Sequence, residues 1–193
     1  MLIVGTFLLG LVIGSFLNVL IIRGYRREKA NGRSRCMRCG KILKARELIP
    51  ILSFLAQKGR CRSCGIALSW QYPLVELATA ILFASSAWYA LKTFKYLNIE
   101  TIVVILASWI VISAAIHIFV TDLRWQIIPN EAVFILFLLG LLASLSRSDL
   151  YRDIITAVAL AVFLAALWFF SRGRAIGLGD AKLIFSSSLL LGF

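Results

Sequence analysis

Polar residues are what this 193-residue sequence is short of. Charged side chains make up 16% of it and only nine are acidic, against a hydrophobic fraction of 61% and a mean hydropathy of +0.91. That balance excludes an ordinary soluble domain. Histidine occurs once, at position 117, and no other polar residues mark a path through the apolar runs, which argues against a proton- or metal-coupled transporter. No basic residue precedes the first apolar run, a dense basic stretch follows it, and no small-residue cleavage pattern comes after. This excludes a cleavable signal peptide, so the first run is an anchor that stays. The net charge of +12 invites a nucleic-acid reading, but no aromatic stacking pattern interleaves the basic residues. Membrane topology and attraction to anionic lipid account for the charge, so no nucleic-acid partner is expected.

What is present is a series of apolar runs: Leu2–Ile22, Leu74–Leu91, Thr101–Thr121, Ile127–Leu145, Ile154–Phe170 and Ala181–Phe193. A helix that crosses a bilayer needs about 20 mostly apolar residues, with a range of about 17–25, and five runs meet this. Helices alone satisfy every backbone group within lipid for a sequence of this kind. The sixth run would reach only about 20 Å into a hydrocarbon core of about 30 Å and leave its last carbonyls unpaired. The expectation is therefore a C-terminally incomplete chain. The fold class is an all-α polytopic membrane protein with six hydrophobic runs, the last truncated. Its expected parts are a first helix over 1–22, a cytoplasmic cysteine-rich loop over 23–73 and a membrane core over 74–193.

Basic residues orient these parts. Thirteen lie between Arg23 and Pro73, and Arg124, Arg172, Arg174 and Lys182 fall on the same side. The other side holds Lys92, Lys95, Arg147 and Arg152. The positive-inside rule then places the N-terminus outside and the large loop in the cytoplasm.

All four cysteines are in that loop, as Cys36-Met-Arg-Cys39-Gly40 and Cys61-Arg-Ser-Cys64-Gly65 with 21 residues between the pairs. Two such pairs at this separation form the zinc-ribbon pattern, in which four thiolates close a tetrahedral site. A reducing cytoplasm argues against disulfides, leaving unliganded or redox-active thiols as the other possibility. A loop this poor in large apolar side chains builds little core, so a structural zinc would supply the missing folding energy. The glycine after each pair permits the turn that brings backbone N–H groups toward the sulfurs.

The scarce acids carry the chemistry. Asp122 closes the third run, just before Arg124, and Asp180 lies in Gly177-Leu178-Gly179-Asp180-Ala181-Lys182 at the start of the sixth. Two crossings separate them, so both emerge on the cytoplasmic side. Two carboxylates there can hydrolyse a peptide: one, ionised, activates water, and the other, protonated, polarises the carbonyl. Ionisable residues at the membrane boundary are functional candidates by default. Each also has a plainer reading. Asp180 fits an N-cap of the sixth helix, and Asp122 fits an interfacial partner of Arg124. Gly177 and Gly179 favour function, since they open room for a neighbouring helix or an extended substrate. Among the other polar residues, Glu76 fits a first-turn dipole partner or a site residue, with the structural reading favoured, and His117 reads as a buried, hydrogen-bonded helix histidine. Gly14, Ser15 and Asn18 read as helix-packing contacts. Asp149 and Asp153 read as solvated loop charges on the outer side.

Five stretches in order carry a family resemblance: Gly14-Ser15-Phe16-Leu17-Asn18-Val19 followed by Arg23; the two cysteine pairs; Ile49-Pro50-Ile51-Leu52-Ser53 leading to Gly59-Arg60-Cys61; Tyr72-Pro73-Leu74-Val75-Glu76-Leu77; and the two aspartate segments. Over about Leu9 to Leu183 the chain resembles the bacterial type IV prepilin peptidases of the GxGD class of membrane aspartyl proteases. The resemblance implies that Asp122, seven residues before Pro129, and Asp180 are the catalytic pair. It also implies residence in the bacterial inner membrane and prepilin or pseudopilin substrates, cleaved after a glycine at the cytoplasmic end of their hydrophobic segment. For members with the cysteine loop it further implies N-methylation of the new N-terminus from S-adenosylmethionine. Asn130 departs from the family pattern, since many members carry an acid after the proline. The family also continues for about two more helices beyond the GxGD segment. The rival reading is a membrane-anchored zinc-ribbon adaptor whose aspartates serve only helix packing.

Overall fold

A computed structural model describes residues 1–147, 150–174 and 176–192. Secondary structure among them is helical apart from two isolated β-bridges. Seven α-helices follow in order: α1 Leu2–Tyr25, α2 Leu52–Ala56, α3 Gln71–Phe94, α4 Ile99–Trp125, α5 Asn130–Leu145, α6 Leu150–Phe170 and α7 Leu178–Leu191. Four of them, α1, α3, α4 and α6, are long and apolar enough to cross a membrane. The short α2 lies within the cysteine loop. The run Ile127–Leu145 yields only the 16-residue α5. Its first residues are drawn into a connection instead, because α4 closes on Gln126 at a φ of 53° and Pro129 restricts the residue before it to extended backbone.

The chain divides into two compact units, Met1–Ile116 and His117–Phe193. In the first, α1 packs along α3. Small residues make this approach possible. A Cβ on Gly10 would lie 2.5 Å from the Ala80 Cα, and one on Gly14 would lie 2.7 Å from the Glu76 Cα. Between lipid-embedded helices there is no hydrophobic driving force, so close backbone contact and buried hydrogen bonds hold the pair. Asn18, 1% exposed, provides the bonds. Its amide donates to the Gly14 and Tyr72 carbonyls, and its oxygen accepts from the Gln71 side chain at 3.0 Å. The packing role expected of Gly14 and Asn18 is thus what the fold shows. Midway along α3, Phe83 stacks on Trp109 of α4 at a centroid distance of 4.9 Å. Asn98 caps α4, accepting the Thr101 N–H at 2.8 Å.

In the second unit α7 packs on both α5 and α6. A Cβ on Gly140 would lie 2.9 Å from the Leu190 nitrogen, and the Ser144 hydroxyl donates to the Leu189 carbonyl at 3.0 Å. Many large apolar side chains on the long helices face outward, Val12, Val103, Val162 and Phe163 each being at least 57% exposed. Exposure on this scale would be an aggregation hazard in water and is the expected surface toward lipid.

Asp153 corrects the sequence reading. It is buried in the first turn of α6, not solvated, and pairs with Arg147 at 3.4 Å. Arg147 also donates to the Leu189 and Leu190 carbonyls, at 3.3 and 2.8 Å. Asp153, read as a loop charge, and Arg147, counted only for topology, form one half-buried anchor at the end of α7. Asp149 lies outside the described residues.

Candidate functional site

The cysteine loop contains two copies of one local structure. In the first, the Cys36 N–H donates to the Lys41 carbonyl and the Gly40 N–H to the Cys36 carbonyl, at 2.9 and 3.0 Å, with Arg35 bridged to Ile42. In the second, the Cys61 N–H donates to the Ile66 carbonyl and the Gly65 N–H to the Cys61 carbonyl, each at 2.9 Å, with Arg60 bridged to Ala67. Gly40 and Gly65 each take a φ of +70°, which explains a glycine after each pair.

These knuckles bring all four sulfurs within 4.8 Å of one another. Cys36 Sγ and Cys64 Sγ are 3.8 Å apart. A tetrahedron with metal–sulfur bonds of about 2.3 Å has edges of about 3.8 Å, so the cluster is sized for one ion. Electrostatics suit metal binding as well. The backbone N–H groups of Cys39 and then Arg38 hold the Cys36 thiol down to about 6. Those of Cys64 and Ser63 lower Cys61. At Cys64 the Ile66 N–H acts downward, but desolvation and the neighbouring sulfurs outweigh it and push the thiol up to about 11. Four sulfurs this close resist carrying four negative charges, and a cation relieves that.

The loop is fastened to the helices by Glu76. Its Oε2 accepts the Ile51 N–H at 2.7 Å, and Ile51 is held at a φ of 59°, a costly conformation for a β-branched residue. Glu76 therefore has the structural role expected of it. Phe54 fills the loop's small interior, packed under Gly59 and against Trp70 at 5.0 Å between ring centroids. Glu47 is buried too, pairing with Lys41 at 3.6 Å and accepting the Lys44 N–H, which holds its carboxyl below the usual range.

The acid pair belongs entirely to the second unit. Asp122 is exposed in the last turn of α4 and makes no ion pair among the described residues, while Arg124 lies over the Trp125 ring at 5.7 Å. Asp180 is exposed as the third residue of α7. It is not the helix N-cap, a place taken by Gly177; instead its Oδ2 accepts the Gly177 N–H at 2.9 Å. That bond folds the carboxylate back over the glycine turn, and Oδ1 has no hydrogen-bond partner among the described residues. The two segments touch through the connection after α4. A Cβ on Gly179 would lie 3.2 Å from the Ile128 side chain, so the missing Cβ lets this connection lie against the turn that carries Asp180 without displacing Ile128. Asn130 then ties α5 to α7, accepting from Lys182 Nζ at 3.4 Å. His117 is half-buried, and its ring has no hydrogen-bond partner among the described residues, so the bond expected for it is absent there.

Profiles of two families cover most of the chain: the bacterial peptidase A24 N-terminal domain over residues 8–90, and the type IV leader peptidase family over residues 109–193. A prepilin leader peptidase/N-methyltransferase of Bacillus subtilis is 36% identical over 96% of this chain and 72% of its own length. The chain belongs to the type IV leader peptidase family. A protein of the same description from Klebsiella pneumoniae is 36% identical over 97% of this chain and 84% of its own. One from Myxococcus xanthus is also 36% identical, and this chain spans 52% of it. No solved structure matches the chain. Within this family the N-terminal profile takes in the cysteine knuckles, the Asn18–Gln71 bond and Glu76, and the peptidase profile takes in both aspartates.

Proposed function

We propose that this chain is an intramembrane aspartyl endopeptidase that cleaves the leader peptides of type IV prepilin-like proteins at the cytoplasmic face of the bacterial inner membrane. Asp122 and Asp180 are its catalytic acids. The observation that carries this reading is the seating of Ile128 on Gly179, which joins the connection beyond Asp122 to the turn that holds Asp180. Hydrolysis asks one acid to take a proton from water as it attacks the scissile carbonyl and the other to hold a proton on the carbonyl oxygen. The amine leaves with a proton returned by the first acid. Exposure of both carboxylates leaves them open to an extended peptide junction presented beside a hydrophobic helix. The substrate side of the proposal covers prepilins and pseudopilins, with the bilayer as the chain's other partner.

The cysteine cluster takes a structural zinc in this reading, held by Cys36, Cys39, Cys61 and Cys64, which fixes the loop and has no part in hydrolysis. The relatives' names carry a second activity, and the proposal extends to it: S-adenosylmethionine supplies an electrophilic methyl group for the newly freed N-terminal amine.

One experiment tests the whole. Full-length protein in detergent is given a prepilin substrate, and the product is read by mass spectrometry. Asp122→Asn and Asp180→Asn should each lower cleavage at least about a thousandfold, and the double variant should be scarcely worse, because the acids act as a unit. Wild-type product should also carry the mass of one methyl group when S-adenosylmethionine is present. Undiminished cleavage by either Asn variant would overturn the catalytic pair, and wild-type protein that leaves the substrate uncut would favour the adaptor reading.

A further inference from the structure

The geometry points to the cavity enclosed by α1, α3 and the cysteine loop as the site for S-adenosylmethionine, with the Glu76 carboxylate facing its sulfonium. This rests on the methyl-transfer reading above and assigns it a place. The cavity measures about 720 Å³, lies wholly within the first unit, and has the size usual for small-molecule sites, about 300–1,000 Å³. Its walls include Asn18 and Val19 of α1, Ser53 and Phe54 of α2, and Tyr72 and Glu76 of α3.

The chemistry of these walls selects the ligand. Three carboxylates line the cavity. Two already have cations: Glu28 pairs with Arg35 at 3.8 Å and Glu47 with Lys41 at 3.6 Å. Glu76, 6% exposed, has none among the described residues. Its Oε2 takes the Ile51 N–H, and none of the arginines that also line the cavity, Arg23, Arg35 and Arg38, forms an ion pair with it among the described residues. An anionic group in a desolvated wall without a counter-charge favours a cation inside the cavity. Beside it, the flat rings of Phe54 and Tyr72 and the apolar Val19 suit a purine, and Ser53 and Asn18 add polar groups. A ligand that joins a fixed positive centre to a flat aromatic base meets both demands. In the transfer itself the uncharged peptide amine forms the new N–C bond while the C–S bond breaks. The electron pair returns to sulfur, leaving a neutral thioether, and the amine nitrogen sheds one proton to solvent.

The change from sulfonium to thioether makes the test specific. Equilibrium binding of S-adenosylmethionine and of S-adenosylhomocysteine is measured on full-length protein in nanodiscs. Glu76→Gln keeps an acceptor for the Ile51 N–H but removes the charge. It should weaken the sulfonium ligand about tenfold and the thioether less than about threefold. Ser53→Trp, entering the cavity from α2, should remove binding of both, with bound metal and the thermal midpoint confirming the fold. Photocrosslinking of labelled S-adenosylmethionine to wild-type protein should mark peptides within residues 15–76. Label elsewhere, or a Glu76→Gln effect equal on both ligands or absent, overturns the site while leaving methyl transfer standing. Wild-type protein that neither binds the ligand nor methylates overturns both.

Discussion

Single side chains decide how the ends of these helices are secured. The Arg147–Asp153 pair shows why charge is tolerated in so apolar a chain. Asp153 has 1% of its side chain exposed, Arg147 has 38%, and the guanidinium divides itself between the carboxylate and two carbonyls of α7. Removing one partner strands the other, at a typical cost of about 3–5 kcal/mol, whereas replacing both with apolar groups is often close to neutral. Arg147→Met should therefore lower stability in detergent by roughly 3 kcal/mol, and Asp153→Leu added to it should restore part of the loss. Thermal unfolding of the three variants reads this directly, and an Arg147→Met protein as stable as wild type would remove the pair from what holds α6 and α7 together. Glu76 belongs at the same scale. Its hydrogen bond to the N–H of Ile51 holds a left-handed isoleucine in place, so a single carboxylate sets where the cysteine loop meets α3.

At the scale of elements, the loop is two near-identical knuckles around one four-sulfur cluster, and the helices are pairs brought close by glycine. A knuckle is a turn of five residues with two backbone hydrogen bonds, too little to order itself against chain entropy. Apart from Phe54, the only buried hydrophobic side chains between the knuckle ends are Cys36 and Cys61. An ion shared by the two turns would supply the missing stabilisation. Purified protein should hold about one zinc per chain, and Cys39→Ser should release it and loosen the loop, seen as faster proteolysis between residues 26 and 70. A stoichiometric Cys36–Cys61 disulfide in native protein, or full metal retention by Cys39→Ser, would contradict this.

For the whole molecule the expectation that matters is sidedness. The balance of basic residues predicts that the loop and both aspartates face the cytoplasm, with the turn after α3 outside. Lys58, in the loop, and Lys95, at the end of α3, are both exposed and suit a direct test. A membrane-impermeant amine reagent applied to intact spheroplasts should modify Lys95 and spare Lys58, which should react only after lysis. Modification of Lys58 in intact cells would invert the topology and with it the side on which cleavage is proposed.

The helical membrane fold, the four-cysteine cluster and the candidate acids were legible in the sequence because each depends on local pattern. Hydropathy over about 20 residues specifies a spanning helix, a two-residue gap between cysteines specifies a knuckle, and an aspartate after Gly-x-Gly stands out against an apolar background. The limits of those elements were less legible, since Pro129 and the left-handed Gln126 shorten the fourth run to a 16-residue helix. Tertiary structure alone decided which polar residues meet. Asn18 bonds to Gln71, Glu76 to Ile51, Arg147 to the end of α7, and Ile128 covers Gly179. None of these pairings has a sequence period, because each joins elements whose spacing is set by how closely two backbones approach. The same holds for the cavity beside Glu76. A residue's burial and its lack of an ion-pair partner among the described residues are properties of everything packed around it, so the sequence offered Glu76 as a lone acid at a helix start and only the packed unit made it a buried acid in a cavity wall.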